Sequence, residues 1–169
     1  MVIANLVIAQ FYVMTQGGDM LSFMQLVKVI GLIILSIMTF SSFFFFIAIY
    51  MKTRNAFGTL STLVGTFIGF LGGIYIPIGV LSKSVQNVVN LIPTAHAVTL
   101  MRRVFMQGAI DQVFDGAPEE AYQSYADIYG LNVNIFGYTM TNWQMVLSMV
   151  IFMTIFYLLS VIKLSHSKL

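Results

Sequence analysis

The chain has 169 residues, 59% hydrophobic and only 8% charged, with a mean hydropathy of +0.90, whereas soluble domains carry about 25% charged residues. Eight basic and six acidic residues cannot solvate a globule of this size, so a soluble protein is excluded and lipid is the solvent for most of the chain. The net charge of +2 is too small and dispersed for nucleic-acid binding, and the lack of cysteine excludes disulfides and thiolate metal sites.

Residues 1–14 (MVIANLVIAQFYVM) are apolar but shorter than the roughly 20 residues a crossing needs. No basic leader or small-residue cleavage site marks them as a signal peptide. They read as a partial crossing, the chain beginning inside a helix whose first half is missing, with a short interfacial helix as the alternative. Gly17, Gly18 and Asp19 predict an aqueous turn, because aspartate is costly at membrane depth. Residues 26–50 make a first complete crossing of roughly 37 Å, with Lys28 snorkelling from its first turn. The phenylalanine run 43–46 faces lipid or fills space between helices. The turn MKTRNA then leads into a second crossing, residues 57–81, so the two form a helical hairpin. On this crossing Ser61, Gly65, Gly69 and Gly73 recur every four residues. Such a ladder lets another helix approach closely where no hydrophobic effect drives association in lipid, and the partner lies either in the same chain or in a second copy. Pro77 is expected to kink or end the helix.

Residues 82–107 hold Asn87, Asn90, Pro93, His96, Arg102 and Arg103. A lipid-exposed crossing of that content is expensive, since each arginine at mid-membrane costs about 2.5–3.5 kcal/mol. A re-entrant outer hairpin of two short helices, broken at residues 91–93, avoids the cost; the residue before Pro93 is biased away from helix. Arg102 and Arg103 then lie at the outer interface. His96, with no second ligand at metal spacing, reads as a hydrogen-bonded structural residue rather than a metal or proton-transfer group.

Residues 108–142 form an extracytoplasmic loop carrying five of the six acids, Asp111, Asp115, Glu119, Glu120 and Asp127. These match no calcium-loop pattern and read as a solvated face. Tyr122, Tyr125, Tyr129 and Tyr138 suggest a small folded cap. Trp143 opens the last crossing, residues 143–162, at the interfacial belt, and a short basic tail follows. Lys52, Arg54, Lys163 and Lys168 would face the cytoplasm against Lys28, Lys83, Arg102 and Arg103 outside. The count is even, but the inner cations sit in true loops, which favours this orientation.

No phosphate loop or nucleophile elbow occurs, and the two histidines are far apart in sequence. The chain is expected to be no enzyme and to need no cofactor or metal; any energy comes from another subunit. The fold class is all-α: one polytopic integral membrane domain over residues 1–169, a transmembrane helix bundle with a re-entrant hairpin before the last crossing. It is expected to be multi-pass in a cell membrane of the bacterial inner or plasma type.

A helix ending in a basic turn (KTRNAFGTL), a glycine-rich helix ending in GIYIPIGVL, the amphipathic stretch LSKSVQNVVNLIP and then PTAHAVTLMRRVF follow one another. In this order they resemble the C-terminal half of type-2 ABC transporter permeases, the transmembrane subunits of ABC exporters. The resemblance implies re-entrant helices at the outer surface before the last crossing, six crossings in a full permease and dimeric half-transporters. It implies as partners an ABC ATPase subunit on the cytoplasmic side, a second permease copy or homologous half, and membrane lipid, with no nucleic acid. It also implies that the first two crossings, part of the third and the coupling helix are missing, since MKTRNA is too short for that dock. The function expected is that of a permease subunit moving an amphiphilic, drug-like, lipid or polysaccharide substrate by alternating access. The alternative is a non-transport membrane sensor or immunity protein that binds a ligand through its outer loop. A channel is less supported, because no crossing carries a polar stripe.

Overall fold

A computed structural model describes residues 2–15, 17–18 and 20–166; Asp19 and Lys168 of the sequence reading lie outside the described residues. The elements in chain order are α1 (Val2–Thr15), α2 (Phe23–Ala48), α3 (Arg54–Leu71), a 3-10 turn (Ile78–Val80), α4 (Lys83–Asn90), α5 (Pro93–Val113), α6 (Glu119–Ile128), β1 (Asn134–Ile135), β2 (Tyr138–Thr139) and α7 (Asn142–His166).

Local chemistry sets the helix starts. Ser22 Oγ accepts from Gln25 N while Gln25 Oε1 accepts from Ser22 N, a capping box that opens α2. Thr141 and Gln144 repeat the arrangement at α7, and Thr53 Oγ1 accepts from Ala56 N at α3. Each cap satisfies donors that a helix terminus otherwise leaves orphaned.

Among the described residues two helices, α2 and α7, are long and apolar enough to cross a membrane, with mean hydropathies of 2.4 and 2.5. They pack on each other more extensively than any other pair. Helical phase divides the phenylalanine run: Phe43 and Phe46 meet Phe156 with ring centroids 5.0 and 5.3 Å apart, while Phe45 points outward. Thr39 is fully buried, bonds Leu35 O at 2.8 Å and lies against Met149 O. At the far ends Lys163 Nζ sits 5.4 Å from the Tyr50 ring centroid, so the last turns of α2 and α7 share one end of the bundle. Both helices still turn most of their apolar surface outward, including Ile34, Ile37, Leu147 and Ile151.

The centre is occupied instead by the least apolar long helix. Thr94, Ala95, His96, Ala97, Thr99 and Leu100 of α5 are all buried. Ala97 and Leu100 join Val133, Met145 and Met149 in one cluster, while Ala95 joins Ile78 and Val89 in another. Small side chains permit this close approach of backbones.

The expected helix over 57–81 is shorter than the sequence reading gave. It ends at Leu71, because Gly73 takes φ +64 and Ile74 N donates back to Gly69 O at 2.9 Å. Gly73 is thus a helix-stopping residue rather than a rung of the ladder, and Pro77, assigned that role from sequence, lies beyond the end. Leu81 closes the 3-10 turn. At 18 residues α3 spans about 27 Å, and it contacts only α5 to any extent. The hairpin also differs in extent: α5 continues to Val113, past the expected boundary at 107. Residues 108–142 hold α6 and a two-stranded antiparallel hairpin, Asn134 opposite Thr139 and Ile135 opposite Tyr138. Phe136 and Gly137 have φ 48 and 86, the left-handed pair that a tight two-residue turn requires. Phe114, Tyr122, Tyr125 and Tyr129 form a chain of ring contacts 4.6–5.7 Å apart that holds α6 on the end of α5.

Glycine contacts separate tight positions from open ones. A Cβ on Gly79 would meet Ile128 Cα at 2.4 Å and Asp127 O at 2.6 Å, both backbone, whereas one on Gly65 meets nothing within 4 Å. Gly79→Ala is expected to destabilise the fold by about 1–3 kcal/mol, and Gly65→Ala to raise stability by roughly 0.5–1 kcal/mol through helix propensity. Thermal midpoints of the two purified variants check the contrast; a Gly79→Ala protein as stable as wild type would refute the close approach of the 3-10 turn to α6.

Candidate functional site

α4 and α5 meet at a sharp break. Ile92 is extended (φ −89, ψ 132), and Pro93 follows as the first residue of α5, where its missing N–H costs no helical bond. This is the break expected at residues 91–93. Breaking a helix leaves carbonyls of its last turn without partners, and His96 meets one of them: Nε2 lies 2.8 Å from Asn90 O. Its other nitrogen, Nδ1, is 2.5 Å from Ser148 Oγ on α7. Because a carbonyl only accepts, the ring hydrogen sits on Nε2, and a neutral ring takes the Ser148 hydrogen on Nδ1. Ser148 Oγ also lies 2.8 Å from Met145 O, so one hydroxyl hydrogen serves two neighbours. With 2% of its surface exposed and both nitrogens engaged, His96 is a structural clamp.

The two asparagines of α4 grip the small hairpin. Asn90 Nδ2 donates to Asn134 O at 2.9 Å, and Asn87 Oδ1 accepts from Phe136 N at 3.0 Å. Asn90 Oδ1 is buried and has no hydrogen-bond partner among the described residues.

The paired arginines diverge. Arg102 Nη1 donates to Tyr129 O at 2.9 Å and Nη2 to Gly73 O at 2.8 Å, which joins the ends of α3 and α6 to α5. Arg103 turns to the other side, donating through Nε to Leu131 O at 2.6 Å, through Nη1 to Asn142 Oδ1 and through Nη2 to Asn132 Oδ1 at 3.3 Å. Arg102 gathers two main-chain carbonyls, and Arg103 gathers one main-chain carbonyl and two side-chain amide oxygens, which a single-point lysine donor cannot do. Thr99 adds a buried bond to Gly130 O at 2.8 Å. Gly130 has φ +66 and ends α6 with a Leu131 N to Ala126 O bond of 2.8 Å.

The residues singled out from sequence therefore fall into two groups. Pro93, His96, Arg102 and Arg103 come together around α5. Ser61 and Gly65 lie exposed on α3, away from that cluster, and Gly69 is covered by the Tyr75 ring folding back over it. Ser148 and Asn90 Oδ1 escaped the sequence reading. Ser148 stands in an uninterrupted apolar run with no local signal that a histidine lies opposite.

The sequence profile of the ABC-2 type transporter family matches residues 1–106, more than half of the chain. The chain belongs to the ABC-2 type transporter family. Neither the comparison with curated proteins nor that with solved structures returned a match. The ABC-2 match ends within α5, three residues after Arg103, so it takes in the break, His96 and both arginines. As an ABC-2 family member, the chain is a membrane permease component of a transporter.

Ser148→Ala would leave His96 Nδ1 buried without its partner, a cost of about 1–3 kcal/mol, and His96→Ala would add a cavity and orphan Asn90 O. Thermal unfolding in detergent should therefore rank wild type above Ser148→Ala above His96→Ala. A His96→Ala midpoint equal to that of Lys83→Ala, an exposed control, would remove the clamp.

Proposed function

We propose that this chain is part of the membrane path of an ATP-driven exporter that moves an amphiphilic, drug-like, lipid or polysaccharide substrate by alternating access. In this reading α2, α3 and α7 cross the membrane, α1 is a partial crossing, residues 82–107 are a re-entrant hairpin on the outer side and residues 108–142 are extracytoplasmic. An ABC ATPase on the cytoplasmic side supplies energy, and a second permease copy or homologous half completes the path. Besides the family match, one observation carries it. His96 meets Ser148 while Arg103 meets Asn142, the first residue of α7. Ser148 lies six residues into that helix, about 9 Å at 1.5 Å per residue. α5 thus runs from the level of Ser148 back to the level at which α7 begins, and Asn90, the last residue of α4, lies at the Ser148 end through its carbonyl bond to His96. A polar segment in that position keeps its backbone inside protein, the condition under which irregular structure is tolerated at membrane depth. The open face at Gly65 supports close packing by a helix from outside this chain.

The chain has no cysteine, so single substitutions give a clean labelling background. Ser84→Cys and Gln107→Cys are both expected to react with a membrane-impermeant maleimide from outside, and Lys52→Cys from the cytoplasmic side only. Labelling of Ser84→Cys or Gln107→Cys solely from the cytoplasm would overturn the hairpin's placement. Affinity purification of the protein at its full natural length from native membranes is expected to recover an ABC ATPase together with a second permease copy; recovery with no ATPase counts against the exporter.

A further inference from the structure

An open cavity of about 480 Å³ lies between α2, α5 and α7 at the end where α7 begins. Its walls change character along their length. Leu32, Leu35 and Val146 line the deeper part, while Lys28, Arg103 and Asn142 line the mouth. No acidic residue is among those lining it. Lys28 is exposed, and among the described residues its ammonium has no hydrogen-bond or ion-pair partner. Arg103 spends three of its donors on neutral oxygens, which leaves its charge uncompensated and two of its five N–H groups available. Gly31 opens the floor: a Cβ there would meet nothing within 4 Å, although glycine in a helix interior is unfavourable.

We infer that this cavity binds an anionic phospholipid of the surrounding bilayer, its phosphate between Lys28 and Arg103 and the upper part of one acyl chain along Leu32, Leu35 and Val146. Two cations and amide groups at the mouth with aliphatic walls behind them complement a charged head joined to a hydrocarbon tail, and neither part alone fills both halves. The lysine stem, rooted one turn inside α2, places its ammonium where headgroups lie. The site requires only that α2 and α7 lie in a bilayer, and it stands whether or not the chain exports anything.

The purified full chain in detergent, titrated with phosphatidylglycerol and phosphatidylcholine and read by native mass spectrometry, tests it. Phosphatidylglycerol should be retained preferentially. Lys28→Gln should weaken its retention about fivefold, the effect of one cation near a membrane surface. Gly31→Leu should abolish retention without lowering the thermal midpoint, because the side chain enters the cavity from a position where an added Cβ meets nothing within 4 Å. Lys52→Gln, at the opposite end, should change nothing. Equal retention of the two lipids, or full retention by Gly31→Leu, would overturn the site. So would equally tight binding of glycerophosphoglycerol, the headgroup without chains, since the walls would then contribute nothing.

Discussion

A helix interrupted inside an apolar bundle leaves carbonyls that water cannot reach, and the interior of this protein is arranged around meeting them. The break before Pro93 is needed if a polar segment is to enter and leave at one end of the bundle. Once made, it strands Asn90 O, which His96 recovers from one turn into the next helix. That bond alone would fix only α4 to α5. The second nitrogen, bound to Ser148, fixes both to α7, so one imidazole sets the mutual position of three helices. In a low-dielectric interior such a bond is strong when made and costly when lost.

The arginines extend the same logic outward. Arg102 and Arg103 leave adjacent positions on α5 and between them hold the end of α3, the end of α6, the segment after it and the start of α7. Their partners are neutral oxygens, so geometry rather than charge pairing does the holding. The cap is therefore a continuation of α5, tied on by main-chain carbonyls and by the ring contacts of Phe114 with Tyr122 and Tyr125. The result inverts the arrangement of a soluble core: the most hydrophobic helices, α2 and α7, face outward, and the segment with histidine, threonines and alanines is buried.

What could be read from the sequence follows from how local each signal is. The two long apolar helices α2 and α7 and the break at Pro93 rest on composition and on proline geometry, which act over a few residues. The fate of Gly73 was not legible, because a glycine at four-residue spacing looks the same whether it packs a helix or ends one; its positive φ decides. The cap was foreseen only as tyrosine content, since the Phe136-Gly137 turn carries a non-glycine residue at positive φ that no turn rule favours. The reach of Ser148 to His96 joins positions 52 residues apart, and nothing along the chain foretells such a pairing.

Trp143 stands beside Asn142, the residue that Arg103 holds, and 73% of its surface is exposed. The chain contains no other tryptophan. Its emission therefore comes from a single indole at the point where α7, the arginine contacts and the surrounding phase meet. The protein carries its own optical reporter: a change in how the cap sits on α7 would alter the polarity around one fluorophore, with no label to introduce and no second tryptophan to subtract.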